Sequence, residues 1–60
     1  MNLLTTKELA ERWKVHPGHL SNLRSAGLGP RYLKIGNVVR YRLPDIEAFE
    51  NENDVAPVNA

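Results

Sequence analysis

The apolar positions of this chain change period twice, from helical to alternating and back. Leu9, Ala10 and Trp13 fall on one face at helical spacing. Leu4-Thr5-Thr6-Lys7-Glu8-Leu9 has the chemistry of a helix start: Thr5 as N-cap with Glu8 three residues on makes a capping box, and Leu4 with Leu9 makes a hydrophobic staple. A second start follows. His16 stands where a cap belongs, Pro17 suits the first helical position, and Val15 and Leu20 stand at staple spacing. Leu20 and Leu23 extend that face as far as Gly27, a residue type that terminates helices. The pattern therefore predicts helices over about residues 6–13 and 17–26, separated by a three-residue turn.

Beyond Gly27-Leu28-Gly29-Pro30 the period becomes two. Leu33 and Ile35 alternate with Lys34, and Val39, Tyr41 and Leu43 alternate with Arg40 and Arg42, which predicts a β-hairpin. A three-residue loop, Gly36 to Val38, would pair Ile35 with Val39 and Leu33 with Tyr41, leaving Lys34 and Arg40 together on the other face. A two-residue turn would mix apolar and charged faces, so burial is expected to select the longer loop. Pro44 then opens a third helix with Asp45 in its first turn and Ile46 and Phe49 as its apolar stripe. The expected architecture is α+β: a small winged helix-turn-helix with two short helices, a two-stranded hairpin wing and a C-terminal helix. It occupies residues 1–51, and residues 52–60 are expected to be a disordered acidic tail.

Charge then sharpens the picture. Residues 12–44 hold seven Lys or Arg and no acid, whereas residues 45–60 hold five acids and no base, although the formal net charge is only +1. Such sorting points to a polyanion for the basic block. With 60 residues and no cysteine, the chain has neither disulfides nor thiolate metal ligands to support a small core. No apolar run approaches a membrane span, no secretory leader is seen at the N-terminus, and a cytoplasmic location is expected. No nucleophile–base pair at workable spacing and no phosphate loop is present, so binding is expected rather than catalysis, without cofactor or small-molecule substrate. His16 and His19 stand at i and i+3, but with no Cys or acid nearby they are expected to cap and to face a ligand, not to hold a metal.

Two helices around a tight turn have the geometry that lays a second helix in the major groove of double-stranded DNA. The faces of that helix away from Leu20 and Leu23 carry Gly18, His19, Ser21, Asn22 and Arg24. Asn pairs bidentately with adenine and Arg with guanine. His16 and Gly18 stand where backbone N–H groups could meet a phosphate. Lys34, Asn37 and Arg40 on the hairpin, with Arg31 and Arg42 behind them and Arg12 and Lys14 beside the turn, are expected on phosphates or in the adjoining minor groove. Lys14 stands where glycine is common, in a left-handed position that costs a lysine roughly 1 kcal/mol. Trp13 and Tyr41 are in register with the apolar stripes and are expected in the core, with Tyr32 on the polar face of the hairpin. Glu47, Glu50, Glu52 and Asp54 are expected on the solvent side of the third helix, turned away from DNA.

The runs LLTTKELAERWKV and GPRYLKIGNVVRYRLPDIEAF, with a short helix between them, resemble the small winged-helix domains of phage excisionases over about residues 3–50. They are also similar to AlpA-type regulators and to the DNA-binding heads of MerR-type regulators. The resemblance implies a bacterial, phage or mobile-element protein that binds tandem sites beside an attachment site and bends the DNA. It also implies cooperative self-association on DNA and an integrase partner, a tyrosine or serine recombinase directed toward excision. The alternative it implies is an AlpA-like regulator of transcription at a promoter. The chain ends soon after the winged domain, which fits neither the long dimerisation helix nor the effector domain of MerR-type regulators.

Overall fold

The computed structural model describes residues 3–55. In chain order the elements are β1 (Leu3–Leu4), α1 (Thr6–Trp13), α2 (Pro17–Ser25), β2 (Leu33–Ile35), β3 (Val38–Arg42) and α3 (Leu43–Glu52). The α+β architecture and the helix-turn-helix arrangement are as expected, with one addition. Leu3–Leu4 joins the hairpin as a third antiparallel strand, in the order β1-β3-β2. The acidic tail assigned to residues 52–60 is described only as far as Val55, and the rest of it lies outside the described residues.

Local chemistry accounts for the helix ends. The Thr5 hydroxyl accepts from the Glu8 backbone N–H at 3.0 Å, and Glu8 Oε1 accepts from the Thr5 N–H at 2.8 Å. These bonds hold the Glu8 carboxylate below its ordinary pKa, the backbone N–H of Thr5 contributing most. At α2, His16 Nδ1 accepts from the Gly18 N–H at 3.1 Å. The two helices stop in the same way. Val15 N–H bonds Ala10 O at 2.9 Å and Lys14 N–H bonds Glu11 O at 3.2 Å; Leu28 N–H bonds Leu23 O at 2.8 Å and Gly27 N–H bonds Arg24 O at 3.0 Å. Both are Schellman closures, which need a left-handed residue: Gly27 at φ 73° in one, Lys14 at φ 56° in the other. Glycine enters that region freely and lysine does not.

Leu9, Ala10, Leu20, Tyr41 and Ile46 form the buried core, with Leu4, Trp13, Leu23 and Val39 packed around it. Ala10 is buried on the α1 face that carries Leu9, where a larger side chain would crowd the core. Val15, expected to pack with Leu20, is exposed instead. The left-handed step at Lys14 turns the chain outward just before it.

The hairpin departs from expectation at its turn. Ile35 pairs with Val38, Lys34 with Val39 and Leu33 with Arg40, so the loop is the two-residue Gly36-Asn37 turn. Gly36 has φ 62° and Asn37 is not among the positive-φ residues, the sign pattern of a type II′ turn with glycine first. Lys34 and Arg40 therefore lie on opposite faces, and Leu33 opposes Arg40, not Tyr41. Burial governs register only where a face is covered. The outer part of this hairpin stands clear of the core, so turn chemistry decides the register there. Leu43, read as the last alternating position of the strand, instead begins α3.

Glu50 fastens α3 to α1. Arg12 donates from Nε to Glu50 Oε2 at 2.8 Å and from Nη2 to Oε1 at 2.9 Å, a bidentate pair. Trp13 Nε1 donates to the same Oε2 at 2.6 Å, and its ring stacks on Phe49 with centroids 5.6 Å apart. Glu50, expected to face solvent, is thus a structural clamp. The donors from Arg12 first, and then from Trp13, pull its carboxyl pKa down from 4.5 to about 2. A depressed carboxylate stabilises the fold above its unfolded pKa and loses that contribution as the pH falls through its folded one. Glu50→Gln is therefore expected to melt at a lower temperature than the wild type at pH 7, with the gap closing between pH 4.5 and about 2. Thermal melts across that range check it; a gap independent of pH would show that charge does not carry the clamp.

Candidate nucleic-acid interface

The roll of α2 decides which of its side chains are offered outward. Leu20 is buried and Leu23 packs on the core, so the opposite line of the helix faces solvent. Gly18, Asn22 and Ser25 stand on that line at i, i+4 and i+7, with Ser21 and His19 to either side, and all five are exposed. Among the described residues, the side chains of Asn22 and His19 have no hydrogen-bond partner. Ser25 is an exposed polar position that sequence reasoning missed, although its spacing from Asn22 and Gly18 was readable once the inward face was set by Leu20 and Leu23.

Arg24 does not belong to that line. Its Nη1 donates to Tyr41 Oη at 2.8 Å and to Thr6 Oγ1 at 3.3 Å, and its Nη2 to Ser21 Oγ at 3.3 Å. The guanidinium also lies 5.8 Å from the centroid of the Tyr32 ring, which is itself tilted against Tyr41. Half-buried and bonded to α1 and β3, Arg24 is a strut between elements, where a base-reading role had been expected. Ser21 is partly drawn into the same network. Tyr32, assigned to the polar face of the hairpin, is instead on the Tyr41 side.

His16 and Gly18 act on each other. The Gly18 N–H is donated to His16 Nδ1, so it is not open to a phosphate in the way its place at the helix start implied. A Cβ at residue 18 would lie 3.3 Å from that nitrogen, which ties the glycine to the cap. The imidazole remains exposed at the start of α2.

The seven cations of the basic block separate into two groups. Arg12 is held by Glu50, Arg24 by Tyr41 and Thr6, and Arg42 lies 3.6 Å from Asp45 across one turn of α3. Arg40 is half-buried and donates to the carbonyl of Val39 at 2.8 Å. Lys14, Arg31 and Lys34 are exposed and form no ion pair among the described residues. Lys34 opposes Val39 and so shares the sheet face of Tyr41, the face on which Arg24 ties down α2. Arg40 and Arg42 alternate with Tyr41 and point to the other face. Asn37 is exposed at the hairpin tip. The side of the molecule that carries α2 therefore offers Asn22, His19 and Ser25 together with Lys34 on the wing, and Lys14 stands just before the helix.

A family model described as a helix-turn-helix domain matches residues 3–54. The chain belongs to that helix-turn-helix domain family. The family is typical of excisionase-like and AlpA-like small DNA-binding proteins, and membership implies DNA binding. No curated protein matches the chain. No helix of the described residues is long and apolar enough to cross a membrane.

Within this helix-turn-helix domain, Arg24 and Asn22 should separate cleanly under substitution. Arg24→Ala removes charge-assisted bonds between three elements and is expected to cost about 1.5–3 kcal/mol of stability. Asn22→Ala is expected to leave the melting temperature within error while weakening DNA binding. Equal melting temperatures for the two variants would remove Arg24 from its structural role.

Proposed function

We infer that the domain binds double-stranded DNA with α2 in the major groove and the hairpin against the neighbouring backbone and minor groove, as an accessory factor of the excisionase type. It is a binding module, not an enzyme, and its partner besides DNA is an integrase. The observation that carries the DNA-binding part is the arrangement around α2. One polar, exposed helix face has a lysine before it and another beside it on the wing, neither in an ion pair among the described residues, while the exposed acids Glu47, Glu52 and Asp54 sit on or just after α3. In this reading Asn22 contacts a base edge, with His19 and Ser25 beside it, and Lys14, Arg31 and Lys34 neutralise phosphates.

Lys14 supports the reading from a different side. A lysine in a left-handed closure costs about 1 kcal/mol where glycine costs little. A residue that strains the fold and yet stands exposed just before α2, in no ion pair among the described residues, is better explained by a ligand than by stability. The excisionase role rests on the resemblance and on one physical consideration. A single short reading helix supplies few base contacts, so specificity has to come from adjacent sites occupied together.

Two experiments test these statements. Lys14→Gly is expected to raise the melting temperature by about 4–8 °C, yet to weaken DNA binding and make its dependence on log salt shallower by about one unit. Lys34→Ala should show the same change in slope with no gain in stability. An unchanged salt slope in both would remove the lysines from the interface. Footprinting and bending assays on DNA beside an attachment site, with its integrase present, test the role: adjacent sites filled cooperatively, bent DNA and stimulated excision are expected. One isolated, unbent site at a promoter would assign the domain to transcriptional control instead.

A further inference from the structure

At the far end of the hairpin, Ile35 and Val38 oppose each other directly across the Gly36-Asn37 turn. Side chains of an opposed pair share one face, and these two are 64% and 45% exposed. Leu33 and Arg40 lie behind them on that face, and Lys34 is on the other. Single exposed apolar residues are ordinary on protein surfaces. A branched pair at the most protruding point of a hairpin is less so, and neither local need accounts for it. The turn is set by Gly36, whichever residues flank it. The core is not served either, since Tyr41 and Val39, which meet it from β3, point to the opposite face.

The charge around the pair narrows what it meets. Residues 12–44 contain no carboxylate, and the hairpin's charged side chains are all cationic. The fitting partner is a polyanion with an apolar crevice between its charges. The minor groove of a DNA duplex is such a partner: phosphates line its rims, while sugars and base edges form its walls and floor. A hairpin entering end-on presents both faces to those walls, Lys34 on one side and the apolar pair on the other.

We propose that the hairpin tip is an apolar wedge, with Ile35 and Val38 entering the minor groove beside the α2 site and prising apart the base step there. The wedge rests on the DNA-binding reading above and adds the source of a bend. Apolar side chains inserted from the minor groove unstack a step and kink the duplex toward its major groove, the groove that α2 occupies. The same contact makes sequence matter at a position where no hydrogen bond is made, because flexible pyrimidine–purine steps open at the lowest cost.

The test uses the full chain. Duplexes are selected from a randomised pool by the wild type, labelled at both ends for energy transfer, and titrated over a range of salt. Three proteins are compared: the wild type, Ile35→Thr with Val38→Thr, and Ile35→Val with Val38→Ile. Threonine keeps the β-branching that suits a strand, and each single threonine variant is run alongside so that a loss of folding in the pair leaves a readable result. The threonine pair is expected to bind about tenfold more weakly, with the salt slope of the wild type, and to leave the duplex straight. The valine–isoleucine pair should restore both affinity and bend. Wild-type bending by the threonine pair, or binding without any bend by the wild type, would overturn the wedge. So would a loss confined to duplexes with two adjacent sites, which would assign the patch to contact with a second copy. If the wild type selected no duplex at all, the DNA-binding reading itself would fail.

Discussion

The guanidinium of Arg24 holds the orientation on which the rest of the surface depends. It joins the last turn of α2 to the hydroxyl of a fully buried tyrosine on β3 and to the first residue of α1, and it lies over a second tyrosine that leads into the hairpin. A core this small has few apolar contacts with which to fix the rotation of a nine-residue helix about its own axis. A planar fork with several donors in fixed directions does so more narrowly than packing alone. Rotating α2 by one residue, about 100°, would turn Asn22 from the outermost line toward the flank and bring a different set of side chains outward. The outward stripe and the position of Lys34 beside it are both consequences of where Arg24 is anchored.

Four of the five arginines of the basic block are used within the fold, whereas Arg31 and both lysines are not. Arg12, Arg24 and Arg42 bind carboxylate, phenol or hydroxyl oxygens within the fold, and Arg40 a backbone carbonyl. Lys14 and Lys34, and with them Arg31, remain in water. A guanidinium is weakly hydrated and gives several directed hydrogen bonds, which suits half-buried junctions; an ammonium is strongly hydrated and works as a point charge, which suits a phosphate backbone approached from solvent. Arg12 and Arg42 stand against carboxylates, so the basic block alone overstates the electrostatic footprint, whereas Arg24 and Arg40, bonded to neutral oxygens, keep their charge. Of seven cations between residues 12 and 44, three are exposed and unpaired among the described residues.

What could be read from the sequence was what is decided locally. Both N-caps, the glycine closure of α2 and the strained lysine closure of α1 depend on residues within a few positions of each other, and each was legible. The hairpin was legible as a hairpin, but its register was not: burial was given authority over a tip that the core does not cover, where a glycine-first turn decides. Leu3–Leu4 could not be seen as a strand because two residues carry no period. Arg24 and Glu50 were placed on the surface because their partners lie 17 and 38 residues away. A helix pattern places a long side chain on a flank; whether it then folds back to another element depends on contacts that only the tertiary structure supplies. Of the candidate surface, the Asn22 line was legible from the apolar face opposite it, and the sorting of used from unused cations was not.

The same division explains how a marginal core can carry a strained residue and exposed apolar ones. Lys14, Ile35 and Val38 each cost the isolated domain something, in backbone strain or in apolar area left to water. Offsetting them are two polar clamps, Arg24 with Tyr41 and Glu50 with Arg12 and Trp13, which tie α2 to the sheet and α3 to α1. Both clamps draw their cations from the basic block of the sequence; Glu50 neutralises Arg12, whereas Arg24, bonded to neutral oxygens, keeps its charge. Glu50 removes an acid at the same time, so the carboxylates left exposed at that end of the chain are those of α3 and its C-terminal edge. In the proposed reading, their repulsion from phosphate opposes an approach that would bring α3 to the duplex and favours the α2 side, with the hairpin beside it.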